Sequence, residues 1–126
     1  MILIGHPWIA SPEFCRVYSK EDIEKSRPDQ VVLLEPLVDS HTLAQHCQQN
    51  QISYAVVVNS LDDAIYANAL GAGYMICEED MALMIQPVAE TYLFDSKVLV
   101  LIHSEKEIAK IARGGIDGVI FAGAIC

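Results

Sequence analysis

Positive charge is what this sequence has least of. Its 126 residues carry 8 Lys and Arg against 17 Asp and Glu, a formal net charge of −9. A domain this acidic repels phosphate backbones and anionic lipid headgroups, which argues against nucleic acid and membrane surfaces as partners. No apolar stretch approaches the ~20 residues that cross a bilayer. The opening Met1-Ile2-Leu3-Ile4-Gly5-His6-Pro7 has no basic region ahead of its short apolar run, so it does not read as a signal peptide. Cys15, Cys47, Cys77 and Cys126 form no CxxC or CxxH. The expectation is therefore reduced thiols in a cytoplasmic protein, with no metal site. No GxGxxG follows the first apolar run and no GxxxxGK[ST] occurs anywhere, so dinucleotide and P-loop sites are unsupported and no cofactor is expected. The aspartate cluster and lysine of a phospho-acceptor receiver domain are also missing.

What is present is apolar and regular. Hydrophobic residues make up 52% of the chain, enough for one domain over residues 1–126 with a core that needs no staples. Six short apolar runs stand out: Ile2–Ile4, Val31–Leu34, Tyr54–Val58, Tyr74–Cys77, Val98–Ile102 and Val119–Phe121. They do not alternate with polar residues, as expected of parallel strands buried on both faces. Residues 55–77 and 99–121 repeat one pattern without a gap: apolar run, polar residue, Ser, amphipathic segment, glycine, apolar run. That is a β-α-β unit written twice. The fold expected is α/β, with about six mostly parallel strands and intervening helices, as an open doubly wound sheet or a partial β/α barrel. A complete eight-stranded barrel typically needs ~250 residues.

Helix starts are marked by Ser19, Ser60 and Ser104, each followed by acids in the first turn, while Asp39 or Ser40 is the expected cap of the helix before Gln51. In the helix near 104–113, Ile108, Ile111 and Ala112 should face the core. Residues 78–94 are apolar nearly all round, and Pro87 should kink or split the helix there. So apolar a helix needs covering, which points to a homodimer through residues 81–94. Residues 7–20 read as one long irregular connection.

The segment Ile116-Asp117-Gly118-Val119-Ile120-Phe121-Ala122-Gly123-Ala124-Ile125 resembles the final strand and turn of phosphate-binding β/α barrels of the thiamine phosphate synthase and tryptophan synthase α type. Residues 59–78, with Asp62-Asp63-Ala64 and Leu70-Gly71-Ala72-Gly73-Tyr74, are similar to a late step of indole-glycerol-phosphate synthase or keto-deoxy-phosphogluconate aldolase. Together the resemblance spans about residues 54–125, and it implies that the backbone of Gly123 and Ala124 faces a ligand phosphate. It departs from those families in two ways. No lysine ends an apolar run to form a Schiff base, and Cys126 comes before any residues for the short helix that completes such a phosphate site.

In parallel α/β folds, ligands collect beyond the carboxyl ends of the strands. The residues just past the apolar runs are His6, Glu35, Asn59, Glu78, His103 and Gly123. His6, Glu35 and His103 are the candidates for acid–base chemistry, and Asn59, Glu78, Gly123 and Ala124 for ligand binding. Asn59 and His103 each precede a capping Ser, so turn shaping is the alternative for both. His41, His46 and Cys47 are expected on a solvent-edged helix, and Cys77 in the core. Two functions follow. One is binding of a small, phosphorylated or carboxylated metabolite at the carboxyl edge. The other is a non-enzymatic scaffold acting as a homo-oligomer.

Overall fold

The six apolar runs all become strands, and a seventh appears where the sequence looked irregular. The computed structural model describes all residues, Met1–Cys126. Its strands are β1 (Ile2–Ile4), β2 (Phe14–Arg16), β3 (Val31–Leu34), β4 (Tyr54–Val57), β5 (Tyr74–Cys77), β6 (Lys97–Ile102) and β7 (Gly118–Phe121). They form one sheet in the order β1-β7-β6-β5-β4-β3-β2, every pair parallel. Strand β2 eluded the apolar pattern because its three residues are Phe-Cys-Arg, with a charge at the end. The helices are α1 (Lys20–Lys25), α2 (Leu37–Gln49), α3 (Leu61–Ala69), α4 (Glu79–Thr91) and α5 (Ile108–Arg113).

All the helices pack on one side of the sheet. The larger core joins Val32, Val56, Met75, Val98 and Val119 from the strands to Leu37, Ala44, Ala64, Ile85 and Ile111 from the helices. The alternate strand residues Ile4, Phe14, Val31, Leu33, Ala55, Ile76, Leu99 and Ile120 form a second core containing no helix residue. That second core exists because the sheet curls upon itself. In a flat sheet the edge strand β2 would lie five strand spacings, or ~24 Å, from β7. Yet Ile125 bridges to Phe14 on that edge, after a link from Phe121 that can span at most ~14 Å. The rings of Phe14 on β2 and Tyr74 on β5 also meet across the interior, with centroids 5.1 Å apart. The doubly wound alternative is therefore excluded, and the molecule is a curled, incompletely closed β/α barrel.

Local signals explain most helix ends. Ser19 and Ser60 accept hydrogen bonds from the backbone N–H of Asp22 and Asp63. Ser104 opens a capping box, with the Glu107 carboxylate accepting from the Ser104 N–H; the first turn here, Glu105–Glu107, is 3-10 and α5 follows it. Four expectations need correction. Helix α2 begins after Pro36, and Ser40 lies inside it with its hydroxyl donating to the Glu35 carbonyl oxygen at 2.7 Å. Helix α4 runs unbroken through Pro87. Cys47 is fully buried rather than solvent-edged. Ala112 is exposed, while Ile111 is buried as expected.

The amino ends of the strands are tied by Asp117. Its carboxylate accepts from the Val98 N–H at 2.9 Å and from the Gln86 carboxamide at 3.1 Å, and its own N–H donates back to Gln86 at 3.1 Å. One side chain thus joins α4 to the starts of β6 and β7. Beside it, Gly118 lets β1 approach, since a Cβ there would run into the Ile2 carbonyl oxygen.

Candidate functional site

A pocket of about 130 Å³ opens at the carboxyl end of the curled sheet. Its floor is the last inward-facing side chain of successive strands: Leu33, Val57, Ile76 and Leu101. Its rim carries Arg16, Glu35, Asn59 and Glu78, and Ile125 forms one wall. The rim residues follow directly from topology. Each is the last residue of a parallel strand or lies one or two positions past it, so each emerges at the same edge. Cys77 lies beneath Glu78, and burial, then the Glu78 charge, pushes its thiol up to about 12. It stays protonated at neutral pH, which removes it as a nucleophile.

The pocket thus gathers three residues expected at the site, Glu35, Asn59 and Glu78, and leaves out the other four. His6 is held elsewhere on the same edge. Its Nδ1 accepts from the Trp8 N–H at 3.2 Å, and its Nε2 lies 3.2 Å from a Glu105 carboxylate oxygen. With Nδ1 accepting, a neutral ring carries its proton on Nε2 and donates it to Glu105, so both nitrogens are engaged. His103 is exposed, and its N–H donates to the Glu107 carboxylate as part of the turn into the next helix. Gly123 and Ala124 sit in a 3-10 turn (Ala122–Ala124). A Cβ at Gly5 would lie only 2.7 Å from the Ala124 Cβ, so this turn packs against the end of β1 rather than lining the pocket.

Arg16 was missed by the sequence, and it changes the chemistry of the rim. Nothing in the sequence marks it as a strand end, because Phe14-Cys15-Arg16 is not an apolar run. The guanidinium takes part in none of the molecule's ion pairs, which are His6–Glu105, Arg27–Glu13, Arg27–Asp29 and Lys110–Glu79. Its planar fork of donors suits a carboxylate or phosphate. Asn59 adds one donor and one acceptor, while Glu35 and Glu78 add acceptors. A larger apolar groove of about 530 Å³ lies outside the barrel between α2 and α3, lined by Leu37, Val38, Tyr66 and Leu70, with His41 and Asp63 at its polar positions.

Two cysteines are not free. Cys15 on β2 and Cys126 form a disulfide, with Cα atoms 4.5 Å apart and a sequence separation of 111. The expectation of reduced thiols holds for Cys47 and Cys77, which are free and buried, and fails for this pair. It fails because the curl of the sheet lays Cys126 alongside Cys15, a closeness that no spacing motif encodes. A Glu13 carboxylate oxygen and the two sulfurs all lie within 4.8 Å of one another. With the sulfurs joined to each other, however, the group offers a metal no thiolates.

No protein-family model matches the chain, and no curated protein matches it. What the fold defines is a class, the partial β/α barrels, with a polar-rimmed pocket at the carboxyl edge.

Proposed function

We propose that this protein binds a small anionic metabolite, bearing a carboxylate or a phosphate, at the carboxyl edge of its sheet. One observation carries the reading: Arg16, free of any ion pair, stands on the rim of an apolar-floored pocket together with Asn59, Glu35 and Glu78. Arg16 takes the anionic group, Asn59 donates beside it, and the two glutamates accept from hydroxyl or ammonium groups of the ligand. The pocket is smaller than the ~300 Å³ at which drug-sized sites begin, which favours a compact metabolite over a nucleotide. Of the three residues expected to act as acid or base, only Glu35 stands here, so the proposal is one of binding and names no reaction.

Thermal-shift and calorimetric titration with inorganic phosphate, glycerol phosphate, succinate and short amino acids tests it. A ligand at a hundred times its Kd stabilises by about 2.7 kcal/mol. At least one compound should raise the melting temperature by several degrees, an effect lost in Arg16→Ala and kept in His103→Ala. No shift across the panel, or an undiminished shift in Arg16→Ala, overturns the reading.

A homo-oligomeric scaffold is the second reading, supported by the apolar side chains left in solvent on α4 and just past its end: Leu83, Met84, Tyr92 and Leu93, the last 84% exposed. No helix is long and apolar enough to cross a membrane. We place the protein in the cytoplasm, a reading supported by the free thiols of Cys47 and Cys77.

A further inference from the structure

We propose that the Cys15–Cys126 disulfide is a reversible clasp that regulates the rim pocket, holding its wall closed when oxidised and releasing it when reduced. The proposal rests on the pocket being the binding site. Each cysteine is next in sequence to a pocket residue, Cys15 to Arg16 and Cys126 to Ile125. Arg16, Ile125 and Cys126, with Phe14, carry the ladder between β2 and the segment after β7: Ile125 bridges to Phe14, the Cys126 N–H donates to the Phe14 carbonyl at 2.9 Å, and the Arg16 N–H donates to the Cys126 carbonyl at 3.0 Å. Without the sulfur bridge, two backbone hydrogen bonds and the Ile125 side chain are left to hold this edge. Short, solvent-edged pairings of that kind open at the low end of the range of local stabilities.

Reactivity separates this pair from the other two thiols. Cys126 is exposed and Cys15 partly so, whereas Cys47 and Cys77 are buried and their thiols are pushed up to about 11 and about 12 by desolvation. Exchange therefore reaches Cys15 and Cys126 alone while the molecule stays folded. The oxidant is a low-molecular-weight disulfide, RSSR. The Cys126 thiolate attacks one of its sulfurs and expels RS⁻. The Cys15 thiolate then attacks the Cys126 sulfur of the mixed disulfide and expels a second RS⁻. The two cysteine protons end on two molecules of RSH, and two electrons pass from the cysteine pair to RSSR. Excess dithiol reverses both steps.

Two independent readouts test this. Amide hydrogen exchange on the oxidised protein and after treatment with dithiothreitol should show the Arg16 and Cys126 amides exchanging about tenfold faster or more once reduced, while β4–β6 amides keep their protection. Adding oxidised glutathione should restore the slow exchange and a mass lower by two hydrogens, and Cys126→Ser should behave as the reduced form whatever the additive. Unchanged exchange at these two amides, loss of protection throughout the sheet, or a bond that resists reduction in the folded protein overturns the clasp. Phosphate and succinate titrated into the oxidised wild-type protein, with Arg16→Ala as the control that loses binding, report on the pocket separately. If neither anion binds, the binding reading fails and regulation fails with it, even where exchange still shows an opening edge. If one binds equally well to both redox forms, regulation alone fails.

Discussion

Cys77 shows how a single buried group ties this fold to pH. Its thiol is ordinarily near 9.0 and rises to about 12 in the folded chain, because the protein surrounds it and Glu78 adds a negative neighbour. Below pH 9 the thiol is neutral both folded and unfolded, and stability does not depend on it. As pH rises from 9.0 toward about 12 the unfolded chain gives up the proton and the folded chain does not, so stability falls through that window. Urea unfolding at pH 8, 9.5 and 11 should show the decline, and Cys77→Ala should flatten part of it. Parallel pH profiles for the two proteins would contradict the assignment. At this scale the sequence was readable for side chains that act locally. Ser19, Ser60 and Ser104 cap as their spacing implies. It was misleading for Ala112, and for Cys15 and Cys126, which meet only because distant parts of the chain are brought together.

Among elements, the joint between α4, β6 and β7 depends on Asp117. Asp117→Ala strands the Gln86 carboxamide and the Val98 N–H, both of which have few other partners at this depth. An unsatisfied buried polar group costs about 1–3 kcal/mol, so the variant should lose roughly 2–4 kcal/mol in denaturant titration. Asp117→Asn, which keeps one acceptor, should lose less. A loss below about 0.5 kcal/mol for the alanine variant would show the joint to be dispensable. Element by element, the β-α-β repeat of residues 55–77 and 99–121 was legible, since both copies build strand, helix and strand in register. Strand β2 was not, because three residues ending in Arg carry no periodicity to read. For the same reason nothing in the sequence marks Arg16 as a strand-end residue.

For the whole molecule, the exposed apolar side chains of Leu83, Met84, Tyr92 and Leu93 set the question of assembly. Ten apolar residues lie in the 81–94 segment, yet Ile85 and Ala89 are buried, and the exposed ones are Leu83 and Met84 on α4 with Tyr92 and Leu93 just past its end. If copies of this chain meet through them, light scattering at micromolar concentration should give a dimer or larger. Met84→Glu should return the monomer without changing the melting curve at low concentration, because that side chain is 58% exposed. A wild-type monomer at every concentration removes the second reading and leaves the pocket as the molecule's functional surface.

By itself the sequence determined what depends on neighbours along the chain: parallel strands from unbroken apolar runs, helix starts from serines and acids, and the delivery of Glu35, Asn59 and Glu78 to one edge. Those follow from hydrogen bonding and burial within a turn or a strand. Only the tertiary structure decided how far the sheet curls. The curl excludes helices from the inner face, separates His6 and His103 from the pocket, brings in Arg16, and lays Cys126 against Cys15. Curvature is set by how all seven strands twist and pack together, a sum over contacts distant in sequence that no local pattern records.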